Sequence, residues 1–292
     1  MWMKGAFLFC LSICNSPTIF AQNHLIIGAT KMEVHYRHSM QRDTVRRPGV
    51  ETDSMILRIG ATASQFFSRH TFYNDSLWSD PDGRALAEEL TLEAFRTGNH
   101  AKMPQVPTTH DYLYKGYPAG RSTVTSARFY VSCRYEEDAP TQQWTLADST
   151  RTVLGHRCRQ ATCDFRGRRW TAWFAPDIPV SDGPWKLGGL PGLILEAYDR
   201  NDDYHYTATR IRQERDLPPV TLYNFDGAPF LPTDRLTFLR AQRDYLSGYG
   251  DVYEIDLIRE IVRSGRRKTY MQRSPHRLLY DFLERDYGAN DE

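Results

Sequence analysis

Apolar and polar positions alternate along much of the chain. Met32, Val34 and Tyr36 share one face of a first run; Thr123, Thr125, Ala127, Phe129, Val131, Cys133 and Tyr135 share one face of a longer one. A period of two marks a half-buried strand, and long strands with a polar opposite face predict an antiparallel sheet with unequal faces. Further strands are predicted over residues 54–60, 111–116, 142–146, 152–165, 168–174, 193–198 and 204–211. Phe165-Arg166-Gly167-Arg168 and Asp199-Arg200-Asn201-Asp202-Asp203 have the composition of hairpin connections, so consecutive strands should form a meander.

Helical spacing is rarer. Asp80-Pro81 opens a segment carrying Leu86, Leu90 and Phe95, with Gly98 behind it. Near the C-terminus, Thr233-Asp234 caps a stretch with Leu236, Leu239 and Tyr245, and Asp251 precedes Val252, Ile255, Ile258 and Val262, stopped by Gly265. No linker or repeat divides the chain, so residues 22–292 are read as one domain. The class expected is α+β and β-rich: a curved antiparallel sheet with a mid-chain helix and helices after it.

The first 21 residues change the compartment. A basic start at Lys4, an apolar stretch from Gly5 to Cys14 and a polar tract before Ala21 form a secretory leader, with cleavage expected after Ala21. A rival parse, with Cys14 as a lipidated residue, places the bulky Ile13 where a small residue is wanted. The stretch is shorter than the roughly 20 residues of a membrane-spanning helix, and no later segment is long and uncharged enough. The expectation is a secreted or periplasmic protein without a transmembrane segment once the leader is removed.

Removing the leader deletes Lys4 and no acidic residue, leaving 36 basic against 36 acidic residues. That balance argues against nucleic acid as a partner. Arg266, Arg267, Lys268, Arg273 and Arg277 form a basic C-terminal cluster, read as a solvated face offset by Asp281, Glu284 and Asp286. Three cysteines survive processing, so at least one is unpaired within a monomer; Cys158 and Cys163 fall on opposite faces of one strand, and Cys133 is free to pair with either.

The motifs that carry chemistry in hydrolases are missing: there is neither Gly-x-Ser-x-Gly nor His-Glu-x-x-His. Cys158 beside His156 reads as a packed thiol. His35 and His38 lie on opposite faces of a strand and do not converge on a metal. Asp199, Asn201 and Asp203 begin like a calcium loop, but Tyr204 stands where glycine is required. Glu196 is solvated if Leu193 and Leu195 face inward, and needs a partner such as Arg168 or Arg169 if it is carried in. No catalytic residue, metal site or cofactor is assigned.

One segment is distinctive. Gly183-Pro184-Trp185-Lys186-Leu187-Gly188-Gly189-Leu190-Pro191-Gly192 is a shaped loop that runs into the apolar Leu193-Ile194-Leu195. It follows Gly155-His156-Arg157-Cys158-Arg159-Gln160-Ala161 and Trp170-Thr171-Ala172-Trp173-Phe174-Ala175-Pro176-Asp177-Ile178-Pro179. Together these motifs, at about 152–199, closely resemble the GLPGLI family of secreted or periplasmic proteins of Gram-negative bacteria, which has no established activity to carry over. A looser similarity, to half-barrel lipoprotein carriers of the periplasm, implies a sheet wrapped around helices with a lipid-holding concavity. On that analogy Trp173, Trp185, Gly189, Leu190, Pro191 and Gly192 border a site for a lipid or other apolar ligand. The alternatives are an interaction module that binds an envelope protein through a strand edge or the basic C-terminal helix, and an envelope hydrolase using Asp177, Asp182 or Glu196 with His156.

Overall fold

The computed structural model describes residues 24–43, 49–99, 104, 109–127, 132–244 and 281–287. The leader, the helix expected after Asp251 and the basic cluster at 266–277 lie outside the described residues, as do Phe129, Val131 and Tyr245. The strands are β1 (Leu25–Gly28), β2 (Met32–Met40), β3 (Glu51–Ile59), β4 (Ser64–Ser68), β5 (Asp111–Lys115), β6 (Arg121–Ser126) and β7 (Cys133–Asp138). After them come β8 (Thr145–Val153), β9 (His156–Phe165), β10 (Arg168–Ala175), β11 (Leu193–Asp199), β12 (Tyr204–Arg212), β13 (Val220–Leu222) and β14 (Leu231–Pro232). Helices α1 (Arg69–Trp78) and α2 (Pro81–Thr97) follow β4, and α3 (Arg235–Asp244) follows β14.

The protein is α+β and β-rich, built on an open, curved twelve-stranded sheet ordered β14-β7-β6-β5-β4-β3-β2-β12-β11-β10-β9-β8. Two meanders, β2 to β7 and β8 to β12, are fused where β2 runs antiparallel to β12, with Tyr36 opposite Ala208 and His38 opposite Tyr206. Among the described strands only the short β14 pairs in parallel, with β7. A separate ribbon of β1 and β13 packs on the other face.

The inward positions follow the alternation. Met32, Val34, Tyr36, His38 and Met40 of β2 face the concavity beside Met55 and Leu57 of β3, Phe66 of β4 and Leu113 of β5. Trp170 and Ala172 of β10 and Ala197 of β11 extend this core. Tyr36 crosses it, its hydroxyl donating to the Ile194 carbonyl at 2.7 Å. On the opposite face Ile56, Phe67, Tyr112 and Tyr114 make a smaller core with Leu222 of the ribbon and Phe72 of α1.

Several expectations are corrected. The long alternating run around 123–135 divides into β6 and β7, which pair as a hairpin with Val124 opposite Tyr135. The run 152–165 contains a turn at Leu154-Gly155, both with positive φ, so its first residues belong to β8 and the rest to β9. Helix α1, unforeseen, is opened by the Ser68 side chain, which accepts from the amides of His70 and Thr71. The mid-chain helix stands where expected: the Asp80 carboxylate accepts from the Gly83 amide at 2.8 Å, Pro81 enters at the first turn, and Gly98 ends it at φ 68°. The Asp234 side chain caps α3 by accepting from the Thr237 amide at 3.0 Å.

Candidate functional site

The glycine-rich loop forms one end wall of the concavity. Asp182 bridges Gly188, the Leu193 amide donates to the Ile178 carbonyl at 3.0 Å, and the Ile194 amide donates to the Asp182 carbonyl at 3.0 Å. Side chains pin it from outside: Trp144 donates to the Gly188 carbonyl at 2.8 Å and Gln142 to that of Lys186 at 3.1 Å. The Lys115 ammonium bonds Asp182 and the Gly183 carbonyl. Gly192, at φ 155°, passes so close to β10 that a Cβ there would stand 2.3 Å from the Ala175 carbonyl oxygen. Gly192 therefore serves a backbone approach that no side chain fits.

The six residues expected to border a ligand do not meet in one groove. Trp173 and Trp185 lie on opposite faces of β10. Trp185, held at φ 50°, packs into the concave core with ring centroids 5.6 Å from Trp170 and 5.5 Å from Phe165. Trp173 points the other way, where the Arg151 guanidinium covers it at 4.2 Å. Leu190 is buried in the core, while Gly189 and Pro191 are exposed at the tip. The protein's own Trp185, Leu187 and Leu190 thus fill this end of the concavity.

What stays open is a cavity of about 100 Å³ between the sheet and α3, walled by Met40, Met55, Phe66, Val124, Tyr206, Phe238 and Trp185, with His38, Asp111, Lys186 and Glu284 among its polar contributors. His38 is the telling group. Its ring stacks on Tyr206 at 4.1 Å, it is 2 % exposed, and among the described residues neither ring nitrogen has a hydrogen-bond partner. Burial, with help from Arg42 and His205, pushes its pKa down to about 3, so it is neutral at physiological pH and carries one unmet donor and one unmet acceptor. An unmet buried polar atom costs about 1–3 kcal/mol. The Asp111 Oδ1 atom, also on the cavity wall, is likewise buried without a partner.

One rim of the cavity is a closed ionic clasp. The Lys186 ammonium lies 2.5 Å from Glu137 and 2.7 Å from Glu284 and donates to the Tyr135 hydroxyl at 3.2 Å. Arg235 holds Glu284 at 2.6 Å, and Arg166 bonds both Glu137 and Asp286. Burial would raise the Glu284 carboxyl, but Lys186 and Arg235 outweigh it and hold the group below the usual range. Beside it Arg168, one of two candidate partners for an inward Glu196, instead binds Asp199 at 2.6 Å, Asp281 at 2.8 Å and the Phe282 carbonyl at 2.6 Å. Residues 281–287 are thereby strapped across the sheet.

The carboxylates considered for hydrolysis are dispersed. Glu196 points away from the concavity, as it should if Leu195 faces in, yet it is only 9 % exposed and bonded to Arg151 and to His205 at 2.8 Å, which corrects the solvated reading. His156 bonds Asp177 at 2.6 Å on the surface, and that contact lowers the Asp177 pKa. Asp182 is taken by Lys115. All three described cysteines are free and buried, so the pairing open to Cys133 is not made. Burial pushes Cys158 up to about 11 and Cys133 and Cys163 to about 12, which makes each a poor nucleophile at neutral pH. His35 and His38 do fall on opposite faces, and Asp199 accepts from the amides of Asp203 and Tyr204 within its turn. Among the described residues no three His, Cys, Asp or Glu side chains converge as metal ligands, and no helix is long and apolar enough to cross a membrane.

Sequence reading considered His38 only as a metal ligand, took Glu284 only as a counter-charge to the basic C-terminal cluster and gave Lys186 no role. The parity of β2, which carries His38 inward with Tyr36, was the signal available for the first. Nothing local marks the other two, which meet only through the return of residues 281–287.

Comparison with known proteins gives one family. Residues 121–239, from the start of β6 into α3 and about two-fifths of the chain, match the family described as N-glycanase peptide, N-terminal domain. No curated protein matches. Two solved structures of PNGF-II, in space groups P21 and C2, align over 72 % of this chain at 13 % and 14 % identity, each with a TM-score of 0.47. The alignment covers 32 % of those chains, so this chain corresponds to about a third of their length. At that identity and score the likeness supports no functional assignment.

Proposed function

We propose that the protein is a secreted or periplasmic envelope protein of the GLPGLI type, not itself an enzyme, that holds a small apolar molecule with one polar tip in the concave cavity. The observation that carries this reading is His38: a neutral imidazole whose two nitrogens are unmet among the described residues, beside open volume with aromatic and aliphatic walls and a charged rim. A ligand hydroxyl or amide meets that demand, while Phe66, Tyr206, Phe238 and Trp185 supply apolar contact. The size limits the class. About 100 Å³ is of the order of the roughly 150 Å³ cavity that accommodates benzene in another protein, and far below the roughly 300–1,000 Å³ of drug-sized pockets. That volume sets an upper bound of about one small ring and falls short of the acyl chains implied by the carrier analogy. Secretion is supported by the leader pattern ending at Ala21.

The competing reading is glycoprotein hydrolysis, or service to it, and is favoured by the match to an N-glycanase N-terminal domain over residues 121–239. Against it stand the dispersed carboxylates and the protonated thiols. Native mass spectrometry of the chain from Gln22, secreted into a bacterial periplasm and purified without detergent, tests the first reading. A retained mass that extracts into organic solvent and is lost in His38→Leu is expected; a bare mass counts against it. Incubation with an N-glycosylated peptide tests the second, with glycan release as its signature.

A further inference from the structure

On the face of the sheet opposite the concavity lies a second pocket, of about 180 Å³, walled by the rings of Trp78, Tyr112, Tyr223 and Phe225. The rings are already packed on one another: Tyr223 stacks on Phe225 at 5.3 Å and meets Tyr112 edge-on at 5.8 Å. Two carboxylates, Asp75 from α1 and Asp226 from the segment after β13, also line it, and among the described residues no Lys, Arg or His does. Asp75 accepts from the Tyr112 hydroxyl at 2.7 Å. Asp226 accepts from the Ser132 hydroxyl at 2.6 Å and from the Ala228 amide at 2.9 Å. Neither forms an ion pair among the described residues. Among the described residues, then, no cation offsets the negative charge in this aromatic pocket.

We infer that this pocket binds a small organic cation of the alkylammonium class, with the aromatic faces around its methyl groups and Asp75 and Asp226 as its counter-charges. Aromatic faces attract cations through their quadrupoles and repel anions, which excludes phosphate or carboxylate ligands. A hard metal ion asks for six or more oxygen ligands, and ring carbons supply none. A neutral apolar ligand leaves the two acids without a counter-charge. Burial, and to a lesser extent the charge of Asp226, raise the Asp75 pKa to about 6 against the hydrogen bond from Tyr112. Such a pair gains from any cation placed between its members.

The test compares choline with its uncharged isostere 3,3-dimethyl-1-butanol, titrated into the full mature chain and read by calorimetry and by tryptophan fluorescence, since Trp78 stands half-exposed at the rim. Choline should bind at least about tenfold more tightly than the isostere. Asp75→Asn and Asp226→Asn should each weaken choline about tenfold and leave the isostere unchanged. Circular dichroism establishes that each variant is folded, and if one is not, the other carries the comparison. Equal affinity for the two ligands, no saturable binding of choline, or undiminished choline binding in the folded variants would overturn the assignment. The outcome is independent of the concave cavity, because no residue lines both sites.

Discussion

Replacing Lys186 by methionine removes a buried ammonium from between two carboxylates and leaves its apolar stem in place. The side chain is 2 % exposed and those of Glu137 and Glu284 are 9 % and 6 % exposed, so solvent does little to screen what remains. Breaking a buried pair by removing one partner costs about 3–5 kcal/mol. Arg235, 2.6 Å from Glu284 and 3.7 Å from Glu137, and Arg166 remain to share the uncovered charge. The expectation is therefore at the low end, about 3 kcal/mol, or a fall in Tm of roughly 6–12 °C for a domain of this size. Thermal unfolding followed by circular dichroism at pH 7 measures it. The pH dependence adds a second check. The folded-state pKa of Glu284 lies below its ordinary value, so its stabilisation is present above that value and is lost as pH falls through the depressed one. In Lys186→Met the depression is relieved, and the gap between variant and wild type should narrow as the medium becomes acid. A fall below about 2 °C at pH 7, or a gap unchanged into the acid range, would refute the clasp as described.

Gly192→Ala forces a Cβ against the Ala175 carbonyl at a positive φ and should destabilise by roughly 2–5 kcal/mol, read as a shift in the urea midpoint at constant m-value. Iodoacetamide at pH 7.5 should modify none of Cys133, Cys158 and Cys163 in the folded protein and all of them in guanidinium, as mass spectrometry would record. Glu33, despite burial, is held at about 2 by His35 and Arg58, so stability present above the ordinary glutamate range should be lost as pH falls toward 2; Glu33→Gln should flatten that acid limb of the Tm profile.

How far the fold was legible varied with how unequal the faces of each strand are. β2 and β12 each have one more apolar side, and β3 and β10 carry apolar runs, so all four announce themselves. β8, Thr145-Leu146-Ala147-Asp148-Ser149-Thr150-Arg151-Thr152-Val153, is the outermost strand of the sheet and polar on both faces, so alternation carried no signal and only its ends were noticed. Helix α1 has a weak apolar stripe with only Thr71 and Leu77 buried, and its capping serine sits at the end of a strand. The junction of β2 with β12 joins segments far apart in the chain, beyond the reach of local pattern. The glycine-rich loop was legible as a shaped corner, and its role proved to be backbone clearance against β10. The cavity was not legible, because its wall assembles from both meanders, α3 and the strap at 281–287. His38 alone left a trace, a histidine on the inward parity of an apolar strand.

The central claim, that His38 and its cavity form a ligand site, is tested most directly by titrating the mature protein with benzyl alcohol and with toluene, two rings of similar size that differ by one hydroxyl, in wild type and in His38→Leu. The account predicts saturable binding of both to wild type, with benzyl alcohol favoured by about tenfold for the hydrogen bond to the imidazole, and loss of that preference in the variant. Absence of saturable binding, or the same preference with and without the imidazole, would contradict it.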